Sequence, residues 1–347
     1  MNFQIAALLG QDGVTNGAVY ALLALSILLV FTVTRVLLIP QGEFVAFGAL
    51  TLAALQAGQP SKMVWVLLGL CWTAAAMDGF DFWRERQRPT RREAVALLAQ
   101  LAYPLVLAGL LYRLPLAELG QLLQIALTLA LLVPLGPLFY RIVFQPIAEK
   151  PSLVLLIASI ALHVSTVGVG LLVFGPDGAR TTAFSETVFE LGVIRLKSQT
   201  LWVLAVSALL IVALFALFER TLYGKALRAA AMNRAGARLM GISPVFAGKA
   251  TFALAALIGV MSGVLIAPIT TLYYDSGFLI SLKGFVGAII GGLVSYPVAA
   301  GGALLVGLIE AFSAFWASTY KEVIVFTLII PVLLWRSLHQ HHVEEEE

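Results

Sequence analysis

Four ionisable side chains stand within or beside apolar runs: Glu43, His163, Lys283 and Glu310. A charge at the centre of a membrane costs about 2.5–3.5 kcal/mol on insertion scales, so such groups face a cavity or a partner. Glu43 opens a short apolar segment, where a carboxylate either satisfies that helix's own first amides or lines a solute path. Lys283 has two comparable uses, the ordinary one being to snorkel its charge to the interface. Glu310 reads as an internal pair or a subunit seam, and a lone His163 among Leu, Ser and Thr as a hydrogen-bonded interior residue rather than a ligand. Bond-making chemistry finds no foothold. Gly241 to Lys249 has the wrong spacing for a phosphate loop and ends in Ala250, and no HExxH, GxSxG or metal-spaced His/Cys set occurs. The single Cys71 rules out an internal disulfide or a CxxC pair. The chain is expected not to be an enzyme and to hold no cofactor of its own.

The elements that position these groups are set by composition. Of 347 residues, 60% are hydrophobic and 12% charged, and the mean hydropathy is +0.95; soluble domains carry about 25% charged residues, so lipid is the solvent for most of this chain. The net charge of +3 does not point to nucleic acid, because the basic residues lie in short runs between apolar stretches. Met1 to Thr15 holds Asp12 and no Lys or Arg, the wrong sign for a secretory signal, so the first apolar run is expected to stay as a membrane helix.

A crossing takes about 20 apolar residues. Spans are expected near 14–34, 63–78, 94–112, 118–140, 151–174, 200–218, 246–270, 298–316 and 322–336. Two shorter runs, Phe44 to Ala57 and Gly284 to Val294, have the Gly and Pro flanks of half-helices. The fold class is therefore all-α, a polytopic transmembrane bundle with short half-helices. Two loops are strongly basic and should be cytoplasmic: Arg84, Arg86, Arg88, Arg91, Arg92, and Arg220, Lys225, Arg228, Arg234, Arg238, Lys249. The balanced loop from Gly175 to Gln199 should be extracytoplasmic, with a small hairpin around Val188–Leu196. Counting crossings puts the N-terminus outside and the C-terminus inside, provided the Phe44–Ala57 segment returns the chain to the outer face. Gly13/Gly17, Gly259/Gly263 and Gly287/Gly291 read as packing seams. A weak echo links Gln41–Gly48 with Lys283–Gly287, and paired interruptions of this kind point to a solute path near the midplane.

The stretch from Gly224 to Ile242 combines Ala, Leu and Arg, has breaks at Gly236 and Gly241, and stops at Pro244. Its arginines cannot enter lipid. It reads as a helix on the inner face, either an ordinary basic loop that fixes topology or a docking helix for a cytoplasmic partner.

That stretch, followed by a Gly/Ala-rich span, resembles the coupling segment of the branched-chain amino-acid permease family of ABC importers, the LivH/LivM type, and is closer to LivH. Collinear with it are Thr15 through Leu25, Arg35 through Gln41-Gly42-Glu43-Phe44, Phe139-Tyr140-Arg141 with Gln145-Pro146, and Lys283-Gly284-Phe285 with Gly291-Gly292-Leu293, Ser295, Pro297 and Glu310. The resemblance covers most of the chain outside residues 59–117 and the tail. It departs where the family usually reads Asn-Phe-Ala-His-Gly-Glu-Phe and this chain reads Leu38-Ile39-Pro40-Gln41-Gly42-Glu43-Phe44.

The resemblance implies a single permease domain over 1–336 with 224–242 as the coupling segment; residues 59–117 depart from it as an added helical hairpin around an Arg-rich cytoplasmic loop, while charge and polarity make 175–199 a periplasmic loop and 337–347 a disordered polar tail. It implies ATPase coupling through Arg228, Ala229, Asn233, Arg234, Ala237, Arg238 and Gly241, and a solute path past Asn16, Gln41, Gly42, Glu43, Phe44, Lys283 and Gly284. The implied partners are a second, LivM-like permease, two cytoplasmic ABC ATPases that use the ATP, a periplasmic solute-binding protein and membrane lipid, with no nucleic acid. The implied location is the bacterial inner membrane. The implied cargo is branched-chain or related amino acids, small amides or carboxylic acids. A passive channel for small polar solutes is the alternative, and would need the half-helices but no docking segment. A membrane-embedded enzyme would need a catalytic cluster that the sequence lacks.

Overall fold

The computed structural model describes residues 3–84, 90–191 and 194–339. Its helices are α1 (Phe3–Thr34), α2 (Gln41–Gln56), α3 (Met63–Arg84), α4 (Arg91–Arg113), α5 (Gln121–Leu132), α6 (Leu135–Phe139), α7 (Ser152–Phe174), α8 (Ser198–Arg220), α9 (Leu222–Met232), α10 (Arg234–Leu239), α11 (Pro244–Ile266), α12 (Ser276–Ile290), α13 (Tyr296–Trp316), α14 (Lys321–Thr327) and α15 (Ile329–His339). Among the described residues, eight helical stretches are long and apolar enough to cross a membrane, with α5 and α6 forming one of them over Gln121–Ile147. The protein is a multi-pass α-helical membrane bundle.

The ninth expected span, 322–336, is helical but interrupted at Leu328, between α14 and α15. Pro331 explains the break, since it has no N–H to offer the carbonyl of Thr327 and its ring crowds that carbonyl. Of the expected polar tail, residues 337–339 finish α15 and the rest lies outside the described residues, as do Arg86 and Arg88.

Burial separates the centre from the rim. The most apolar stretch of α1 is 89% buried, whereas that of α8 is 11% buried. α1 therefore runs through protein, packed on α13, α11, α12 and α8, while α8 faces outward. Lipid tails are as apolar as these side chains, so helix association rests on close backbone approach. The three glycine pairs supply it within the chain: Gly13 and Gly17 lie on Leu308 and Leu304 of α13, Gly263 on Val45 of α2, and Gly287 and Gly291 on Ala303 and Ala299 of α13. Among the described residues of 59–117, α3 and α4 pack as an antiparallel pair at the rim. Arg141 fastens that pair to the bundle through Asp78 (2.5 Å) and Asp81 (2.6 Å).

Contacts between chain ends fix the directions. Arg141 meets Asp78 and Asp81 near the end of α3, and Glu149 lies 3.5 Å from Arg238, so Arg84 and the 220–241 segment share one face. By the positive-inside rule that face is the one expected in the cytoplasm, and it is termed the inner face. On the opposite face β1 (Val188–Leu191) pairs antiparallel with β2 (Ile194–Lys197), the expected hairpin. Gln56, at the end of α2, accepts from the amide of Thr182 on that outer face, so α2 does return the chain outward.

Both half-helices begin in the middle of the bundle. Gln41 donates to the carbonyl of Ala255, halfway along α11, and Phe278 stacks on His163, halfway along α7. α2 then climbs to the outer face; α12 descends until Gly291 meets Ala299 beside the start of α13. The segment that carries the chain back to the start of α2 is covered by α7, where Ser159 Oγ accepts from Ile39 N at 2.9 Å and donates to the Leu37 carbonyl at 2.7 Å. Backbone at this depth persists only when protein satisfies it in this way.

The second short run is Ser276–Ile290 and not Gly284–Val294. Its charge at Lys283 hid the first half from an apolar window, and in the folded chain that charge is neutralised by Glu310. The echo changes register for the same reason: the partner of Gln41-Gly42-Glu43 is Ser276-Gly277-Phe278, not Lys283–Gly287.

Candidate functional site

The two half-helices cross at Gly42 and Gly277. A Cβ on either glycine would collide with the backbone carbonyl of the other, so only hydrogen fits at both positions. Pro40 and Asp275 precede the two helices and neither gives a side-chain cap. Two uncapped N-termini, each carrying partial positive charge, therefore meet in the middle of the bundle.

Glu43 sits in the first turn of α2 and is 2% exposed. Its Oε1 meets His163 Nδ1 at 2.6 Å, and the imidazole is stacked on Phe278 of α12 with ring centres 4.6 Å apart. His163 is thus a hydrogen-bonded interior residue, and it ties the rim helix α7 to both half-helices. Glu43 Oε2 and Gln41 Oε1 are buried and have no partner among the described residues.

The other path candidates lie elsewhere. Phe44 packs on Phe139 within the core, with ring centres 5.8 Å apart. Lys283 turns from the crossing toward α13, at 2.5 Å from Glu310 and 3.2 Å from Glu322, rather than snorkelling. Tyr20 donates to the second oxygen of Glu310 at 2.5 Å. Gly284 packs against Leu23 of α1. Asn16 lines a cavity of about 660 Å³ on the outer face, together with Asp12, Arg180, Glu186 and Lys197. A second cavity, about 560 Å³, opens on the inner face between Thr34, Tyr140, Glu149, Arg238 and Pro244. The crossing of α2 and α12 lies at a depth between these two cavities.

The inner face carries the other candidate surface. α9 and α10 are separated at Asn233, whose side chain accepts from the amide of Gly236 and so caps α10. The expected break at Gly236 falls inside α10 instead; Gly241, with φ of 77°, does end the segment. Arg228 binds Glu219 at 2.7 Å and the carbonyl of Phe218, which anchors α9 to the end of α8. Leu227, Ala230 and Ala237 are buried against Leu29 and Val33 of α1 and Ala247 of α11. Ala237 is therefore turned inward, Ala229 is half-buried, Asn233, Arg238 and Gly241 are exposed, and the side chain of Arg234 lies outside the described set.

Sequence reasoning missed the exposed apolar groups here, among them Leu222, Met232, Leu239 and Met240, which are 84%, 87%, 89% and 81% exposed. Their apolar character outside the membrane-spanning helices was the available signal. It also missed Gly277, Phe278 and Ser281, which an earlier start for α12 would have revealed.

Comparison with known proteins adds the following. A sequence model of the family described as branched-chain amino acid transport system / permease component matches residues 11–333. The high-affinity branched-chain amino acid transport system permease protein LivH of Escherichia coli strain K12 is 29% identical over 205 residues, 56% of this chain and 65% of that protein. LivH of Salmonella typhimurium is 29% identical over 204 residues with the same coverage. The permease protein BraD of Pseudomonas aeruginosa is 34% identical over 136 residues, 39% of this chain and 44% of BraD. The matched region thus spans just under two thirds of the LivH proteins. No solved structure matches.

Proposed function

The chain belongs to the family of branched-chain amino acid transport system permease components, and on that footing we propose that it is the membrane-spanning subunit of an ABC importer of the bacterial inner membrane. Its cargo is branched-chain or related amino acids, or small amides or carboxylic acids. Its partners are a second, LivM-like permease, two cytoplasmic ATPases and a periplasmic binding protein that delivers solute to the outer cavity. The supporting observation is the meeting of two uncapped half-helices at Gly42 and Gly277, at a depth between cavities on opposite faces. Interrupted helices of this kind let a bundle present helix ends to a solute at mid-depth and change which side has access.

Force enters at α9 and α10. Exposed Met232, Leu239 and Met240 offer the ATPase an apolar contact, and the buried face of the same helices grips the inner ends of α1 and α11. A push there moves α1, against which α12 and α13 are packed. Arg228 pairs with Glu219 within the chain and its side chain is still 44% exposed, so it holds α9 while its open side faces the partner.

The test is reconstitution in liposomes with candidate ATPases, permease partner and binding protein. Uptake should require ATP, and replacing Leu239 and Met240 together by Glu should abolish ATPase association and uptake while the chain remains folded. Uptake that continues without any ATPase would favour the passive-channel reading.

A further inference from the structure

The crossing of α2 and α12 leaves two groups of atoms without a use. The first is Glu43 Oε2, enclosed in protein with no donor among the described residues; Gln41 Oε1 is likewise unpartnered, but that side chain is turned to Ala255 of α11. A buried acceptor left unmade carries the whole cost of its lost hydration, so Glu43 Oε2 favours a donor from outside the chain. The second is a cavity of about 180 Å³ whose wall is almost wholly apolar, formed by Ile27, Leu38, Leu156, Phe278, Leu282 and Phe285. A partly open pocket of this size and lining has room for a branched aliphatic group.

Glu43 and the cavity are linked through Phe278. Phe278 forms a wall of the cavity and also stacks on the imidazole that holds Glu43. Ser281 lines the cavity and lies against Gly42, the residue before Glu43.

Resting on the transport reading above, we propose that the permease itself reads its solute at this crossing. An N–H donor of the solute's ammonium or amide group meets Glu43 Oε2, and its aliphatic side chain enters the cavity walled by Leu38, Phe278, Leu282 and Phe285. Selection between branched and short side chains is then made a second time inside the membrane, after delivery. Each methylene that the cavity accommodates or refuses changes the preference by about tenfold or more.

The experiment compares leucine and alanine uptake by the complete reconstituted importer, with the same binding protein in every arm so that any change in ratio belongs to the permease. Leu282→Trp fills the cavity and should lower the leucine-to-alanine ratio about tenfold. Phe285→Ala enlarges it and should raise uptake of phenylalanine relative to leucine. The two variants shift selectivity in different senses, which a general loss of folding does not imitate, and either one alone is decisive if the other fails to assemble. Ratios unchanged from the parent in a variant that still transports would overturn the proposal and leave the importer reading standing. An importer that moves no amino acid under ATP would remove that reading, and this one with it.

Discussion

Two carboxylates buried in the same bundle, Glu310 and Glu43, are treated in opposite ways. Glu310 has both oxygens engaged, one by Lys283 and one by Tyr20. Glu43 has one oxygen on His163 and the other unmet among the described residues. The first arrangement joins α1, α12 and α13, with Glu322 of α14 at its partly exposed edge. The second lies where two uncapped helix ends cross beside an apolar cavity. Glu310 is fully paired and fixes helices in place, although Glu322 Oε2 at the edge of its network has no partner among the described residues; the open oxygen of Glu43, at the crossing itself, keeps a place for a donor that arrives with the solute.

The largest test of this contrast is Lys283→Met. It leaves Glu310 and Glu322 without their cation, and breaking a buried pair on one side costs about 3–5 kcal/mol. Thermal unfolding in detergent should drop sharply, and Lys283→Met combined with Glu310→Leu should recover a substantial part of the loss. A near-neutral single variant would mean that the network does not hold the helices.

Next in size is Gly42→Ala. The added Cβ has the Gly277 carbonyl in its way, and overpacking of this kind costs about 1–3 kcal/mol. Unfolding temperature and uptake should fall together, because the same contact holds the crossing and forms the site. The smallest stability effect is expected for Glu43→Gln. It keeps an acceptor for His163 and introduces a donor toward the solute, so stability should change by no more than about 1 kcal/mol while uptake collapses. A variant that loses stability and keeps uptake would reverse the assignment of the two carboxylates.

Much of the architecture could be read directly. The spans 151–174 and 298–316 correspond within two residues to α7 and α13, because a membrane helix needs a long apolar run and little else. The hairpin around Val188–Leu196 was legible from alternation, and the basic segments from their charge. The start of α12 was not, because an apolar window treats Lys283 as a barrier and has no means of knowing that Glu310 cancels it. The break in the inner-face segment was assigned to Gly236, whereas Asn233 makes it by capping α10 with its own side chain. Half of the candidate site was visible as Gln41-Gly42-Glu43; the other half, Gly277, Phe278 and Ser281, depended on which residues come to face that triplet.

By itself the sequence determined solvent and orientation: 60% hydrophobic residues require lipid, and clustered arginines choose the inner face. The tertiary structure alone decided which charges are cancelled and which acceptors remain open. Glu43 meets a histidine 120 positions away, and Tyr20 meets a carboxylate 290 positions away. Electrostatic cancellation depends on distance in space, and the folded bundle sets that distance where spacing along the chain does not.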